Sequence, residues 1–204
     1  MLQPWFIELI AIISEIIVGI SAIAVAVFAF IGLRQWKIQL TGRTKFDVAR
    51  KMAILAFEFR DEYKRVRSPM TLPGESSERQ VAESETREET NLLNEYFARS
   101  NRLRPLQDTL RKLYETSWEA EIILDKDIGK FIKPLEKAFS ELYASIESYF
   151  GAEHSRINRH IPTDRKADWL ENHFNRIYGH DNDENTNAID VSIQTLVAKL
   201  KTYL

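Results

Sequence analysis

The chain has 204 residues with 28 Lys+Arg against 30 Asp+Glu, and this near-neutral balance argues against a dedicated nucleic-acid binder. It has no cysteine, which removes disulfide frameworks and thiolate metal sites, and only 7 Gly and 6 Pro, too few for a turn-rich all-β fold. Helix is the expected class, with about 160 residues left for one cored domain once an apolar N-terminal stretch of about 40 is set aside.

That stretch holds 18 consecutive apolar or small residues, Ile16 to Leu33. At about 1.5 Å per residue they extend roughly 27 Å, close to the hydrocarbon thickness of a bilayer, so a transmembrane helix is expected over 16–33. The preceding "MLQPWFIELI" carries no basic side chain, as a secretory signal would, and the segment reads as a retained anchor. Arg34, Lys37, Arg43, Lys45, Arg50 and Lys51 follow it, opposed only by Asp47. By the positive-inside rule the flank 1–15 faces out and the large domain faces the cytoplasm, with Trp5 and Trp36 as interfacial aromatics. The same six cations suit an anionic headgroup surface, each worth about 1 kcal/mol there.

Two glutamates sit just before the apolar run. Either Glu8 and Glu15 lie at or beyond the outer headgroups, or they belong to a seam. Glu8, Glu15, Ala22 and Ala29 recur every seven residues, with Ala11, Gly19 and Ala26 beside them, a small and polar stripe on which helices approach closely in lipid. Self-association along it is expected, and a ring of carboxylates at the outer mouth is the corresponding channel reading.

Gly42 marks a joint within a basic juxtamembrane stretch, 34–43. A helix is then predicted from about Thr44 to Val66, its apolar face formed by Phe46, Ala49, Met52, Ala53, Ala56, Phe59, Tyr63 and Val66. An acidic loop follows near 68–88, with Pro69 and Pro73 breaking helix and the glutamates reading as solvated charge. From about Glu89 to Leu124 the stripe Leu92, Tyr96, Leu103, Leu106, Leu110, Leu113, Ser117 and Trp118 has helical spacing, interrupted near Pro105. Asp125 or Asp127 caps the next helix, Ile128 to Phe150, in which Pro134 either makes a kink or marks the true start. Thr163 caps a short helix through Ala167, Leu170, Phe174 and Ile177 that Gly179 stops. The last helix starts around Asn187, with Asn187 as cap and Asp190 in its first turn, and presents Ile189, Ile193, Leu196, Val197, Leu200 and Leu204. Mutual burial of these stripes predicts an all-α fold: one N-terminal transmembrane helix, then over 44–204 an antiparallel cytoplasmic bundle of about four helices.

Chemical motifs are sparse. There is no phosphate-cradling glycine loop, no His-Glu-x-x-His and no nucleophile elbow. His154, His160, His173 and His180 share no i, i+4 face, and read as surface histidines rather than metal ligands. "DNDEN", Asp181 to Asn185, starts like a calcium loop but has Thr186 where the turn glycine belongs and Ser192 where the closing glutamate belongs. The basic residues of "NEYFARSNRLR" read as solvated face. No catalytic residue, metal or cofactor is assigned.

The stretch Leu33 to Pro69 resembles the juxtamembrane region of a group of uncharacterised bacterial single-pass inner-membrane proteins. In these a tryptophan, a leucine and a glycine, here Trp36, Leu40 and Gly42, precede a helix ending in an Arg-Asp and Arg-x-Pro region, here Arg60, Asp61, Arg67 and Pro69. The resemblance implies a bacterial inner-membrane helical protein and brings no known activity. The expected function is non-enzymatic: a membrane-anchored scaffold that contacts lipid, self-associates and presents its cytoplasmic bundle to a protein partner. The alternative is a small oligomeric channel or membrane-disrupting effector.

Overall fold

A computed structural model describes residues 4–72, 74–159, 167–179 and 183–204, and the side chains of all of these except 4–13, 159 and 167. The elements in chain order are α1 (Pro4–Arg67), α2 (Arg87–Ile123), a 3₁₀ turn (Ile128–Phe131), α3 (Lys133–Arg159), α4 (Ala167–Ile177) and α5 (Glu184–Leu200), with no strand among the described residues. The expected all-α class is what the chain adopts. It divides into two compact units, Met1–Thr44 and Lys45–Leu204.

In the first unit α1 is long and apolar enough to cross a membrane, with a mean hydropathy of 2.8 in its most apolar window. Its few hydroxyls bond back within the helix: Ser21 Oγ donates to the Ile17 carbonyl at 2.7 Å and Thr41 Oγ1 to that of Lys37 at 2.9 Å. Of the two, Ser21 lies within the apolar run, where a hydroxyl bonded inside its own helix is compatible with hydrocarbon. The helix predicted to begin at about Thr44 is not a separate element: α1 is one helix from Pro4 to Arg67 and runs on through Gly42. A helical glycine costs only about 1 kcal/mol relative to alanine, which good helix formers on both sides offset.

The second unit is built on a core that α1, α2, α3 and α5 share. Met52, Ala56, Phe59 and Val66 of α1 are fully buried with Leu106 and Leu113 of α2, Leu135 and Ile146 of α3, and Leu196 and Leu200 of α5. Each large apolar side chain so buried contributes roughly 1.5–3 kcal/mol. Four members of the expected stripes are exposed instead: Phe46, Trp118, Phe174 and Leu204, while Ser117, the neighbour of Trp118, is buried. Contacts between α2 and α3 pair Glu89 with His154, Tyr96 with Glu147, and Tyr114 with Glu136, so later residues of α2 meet earlier residues of α3.

Pro105 does not interrupt α2, which runs through it. It lies on the exposed face, where a carbonyl deprived of its amide partner is open to water. Pro134 does mark a start, falling in the first turn of α3 just after the 3₁₀ turn. The cap of α5 is Asp183 rather than Asn187: Asp183 Oδ1 accepts from the Thr186 amide at 2.7 Å, and Asp190 instead meets Lys64 at 3.4 Å. Asp125 accepts the amide of Asp127 at 3.0 Å and pairs with Lys199 at 2.6 Å. The expected Thr163 cap and Pro73 lie outside the described residues.

Candidate functional site

Helix α1 ends at Arg67 among carbonyls that need donors, and a helix C-terminus favours positive charge. Both demands are met by arginines of α2. Arg99 Nη1 donates to the Val66 carbonyl at 2.8 Å, while Arg102 donates to the carbonyls of Arg65 at 3.2 Å, Ser68 at 3.1 Å and Met70 at 2.6 Å. Arg67 does the same for the end of α4, through the Arg176 carbonyl at 2.8 Å and that of Asn175 at 3.1 Å. It also binds Asp183 through both terminal nitrogens and donates to Thr186 Oγ1 at 2.7 Å, tying the end of α1 to the cap of α5.

All three guanidiniums are buried, a placement tolerated only when charge and donors are matched. Arg67 has Asp183, Arg102 has Glu75, and Arg99 has Glu95 at 3.1 Å. The Arg99 guanidinium also lies 4.1 Å from the centre of the Tyr178 ring, and Tyr178 donates its hydroxyl to Glu95. Burial, and then the hydrogen bond to Glu95, push the Tyr178 phenol far above its ordinary range. Burial would raise the Asp183 carboxyl, but the bonds from Arg67 and Thr186 prevail and hold it at about 2. Gly179 stands against Arg67, and any Cβ there would fall within the guanidinium.

This junction is a lock. Its donors are spent on carbonyls and carboxylates, and Arg99 Nε is its one buried nitrogen without a partner among the described residues. The sequence reading of Arg99 and Arg102 as solvated face is therefore corrected. A loop does join α1 to α2, but two of its glutamates are not freely solvated charge: Arg102 holds Glu75, and Arg79 grips Glu85 at 2.7 and 2.9 Å.

The residues singled out for interaction lie elsewhere. Glu15, Gly19, Ala22, Ala26 and Ala29 are all exposed along α1, and nothing packs against Gly19. Glu8 and Ala11 belong to α1, but their side chains lie outside the described residues, as does that of Trp5. Of the expected headgroup contacts, Arg34, Lys37, Arg43, Arg50 and Lys51 are exposed and Lys45 is half-buried. Among the histidines, His154 Nε2 sits 2.9 Å from Glu89, and His173 lies edge-on to Trp169 with its pKa lowered by burial. His160 and His180 lie outside the described residues.

The bundle surface carries an exposed apolar feature that includes Trp118, which the sequence reading placed on the core stripe of α2. Trp118 is 61% and Ile122 86% exposed, and Trp118 with Leu110, Tyr114 and Phe139 forms the apolar part of a groove of about 830 Å³ that Asp108, Arg111, Glu115 and Glu136 also line. Comparison of the chain with protein-family models, with curated proteins and with solved structures finds no match.

Proposed function

We propose that this chain is a membrane-tethered scaffold: a single anchor with its N-terminus outside, an antiparallel cytoplasmic bundle of about four helices, self-association through the anchor, and a protein partner at the bundle surface. The observation that carries the reading is the unbroken exposed apolar length of α1, Ile16 to Leu33, in a chain that has a separate buried apolar core within 45–204. Soluble proteins rarely expose so large a continuous apolar surface. The small stripe from Glu15 to Ala29 supports close helix pairing, and the exposed Trp118 and Ile122 support a partner. A bacterial inner-membrane location rests on the resemblance of Leu33 to Pro69.

The test is fractionation. Expressed in a bacterium, the full chain stays in membranes washed with alkaline carbonate, and protease added outside intact spheroplasts leaves the bundle whole. Release by carbonate, or digestion of the bundle from outside, overturns the reading. Planar-bilayer recording separates the channel alternative, since a scaffold gives no conductance, whether wild type or Glu15→Gln.

A further inference from the structure

Within the Lys45–Leu204 unit one face of α1 is turned into the core and the opposite face is left open. On the open face Ile54 is 44% and Phe57 40% exposed, and Asp47, Arg50 and Asp61 are exposed with them. These five residues fall at alternating steps of three and four, the a/d spacing of a coiled coil. In the sequence the same spacing extends backward without a break through Arg43, Leu40, Trp36 and Leu33 to the small stripe of the apolar segment. Along this one line Leu33, Trp36 and Leu40 before the open face and Ile54 and Phe57 within it are apolar, and Arg43, Asp47 and Arg50 form a charged stretch between them.

The surface relief agrees. Asp47, Arg50, Lys51 and Ile54 enclose a depression of about 420 Å³ with Leu55. Four residues at i, i+3, i+4 and i+7 form the hole that receives one side chain from a facing helix.

Resting on the self-association proposed above, we infer that a second copy of this chain packs on this face, α1 beside α1, parallel and in register. Two anchors inserted the same way present their α1 helices side by side, which favours the same helix of another copy over any other occupant. Charge sets the register. In that register Asp47 of one helix faces its own copy with Arg43 and Arg50 of the other helix in the layers on either side, and polar layers beside the apolar layers Ile54 and Phe57 fix alignment in a coiled coil.

The chain lacks cysteine, so a single introduced thiol reports its own neighbourhood. The full chain is tested in native membrane vesicles with copper phenanthroline as oxidant, using Ile54→Cys, Phe57→Cys, Ala22→Cys and, as an exposed control on α2, Ile122→Cys. Ile54→Cys and Phe57→Cys are expected to form disulfide-linked dimers at least fivefold more than Ile122→Cys, and that outcome upholds the inference whatever Ala22→Cys does. Dimers at Ala22→Cys with none above control at 54 and 57 overturn the inference and leave self-association standing; dimers at none of these positions overturn both. Asp47→Arg is expected to weaken crosslinking of Phe57→Cys about threefold, and adding Arg50→Asp to restore it. Failure of that restoration overturns the register.

Discussion

The guanidinium of Arg67 occupies the space into which a side chain at Gly179 would project. Gly179 does not adopt the left-handed φ that favours glycine, so its requirement is one of room rather than of backbone freedom. Gly179→Ala therefore forces Arg67 off its bonds to Asp183 and the α4 carbonyls, or shifts the segment after α4. The expected loss is about 1–3 kcal/mol, the usual range for overpacking a filled site. Urea unfolding of the full chain in detergent, followed by circular dichroism, measures it. An unchanged midpoint would show that the junction yields.

The same junction predicts an acid limit to stability. Asp183, whose ordinary pKa is 3.8, is held at about 2 despite burial, by its bonds from Arg67 and Thr186. The Arg79 pair, then the Ala82 amide, also bring Glu85 to about 2, and the bond from Arg102 lowers Glu75. Folded pKa values below the unfolded ones mean that the unfolded chain binds more protons in this range. These groups contribute fully above about pH 4.5, and their contribution is lost as pH falls toward 2. Asp183→Asn keeps an N-capping side chain but removes the charge beside Arg67. It should cost about 3 kcal/mol at pH 6, the low end for breaking a buried pair, and flatten the decline between pH 4.5 and 2. Unfolding midpoints across that range report both effects, and equal slopes for variant and wild type would refute the assignment.

The acidic segment after α1 depends on one side chain. Arg102 bonds Ser68, Met70 and Glu75 within it, so Arg102→Ala takes the arginine from two carbonyls and a carboxylate of the segment. Local opening should then become much easier than global unfolding. A glutamate-specific protease should cleave between Glu75 and Glu85 about tenfold faster than in wild type, while the circular-dichroism spectrum stays helical. Equal cleavage rates would show that the Arg79 to Glu85 grip suffices.

Which parts of this were legible in the sequence follows from how each signal arises. Apolar spacing reports burial directly, and it found Ala49, Met52, Ala56, Phe59 and Tyr63 on α1 and Ile189, Ile193 and Leu196 on α5. It missed the junction because Arg is read as surface by default. A usable trace was nonetheless present: Arg99 falls in step with Leu92, Tyr96, Leu103 and Leu106, a position the stripe reserves for buried side chains. Asp183 was overshadowed by Asn187, since both residues suit a cap and only the placement of Arg67 decides between them. Trp118 matches the inward spacing yet stays open, because apolar character alone does not say which edge of a wide stripe is covered.

Pro105 offers the clearest separation of local propensity from packing. It sits inside α2 on the exposed face, with buried Leu103 and Leu106 on either side. A proline in a helix interior costs about 3 kcal/mol, chiefly from the lost amide bond and ring crowding. Part of this is offset because proline also restricts the unfolded chain, by about 0.4–1 kcal/mol. Pro105→Ala restores the amide donor without touching the core, so a net gain of about 1–2 kcal/mol is expected. For a domain of this size that gain raises the melting temperature by about 3–6 °C. A lower melting temperature would mean that the packing of Leu103 and Leu106 depends on a bend that proline imposes.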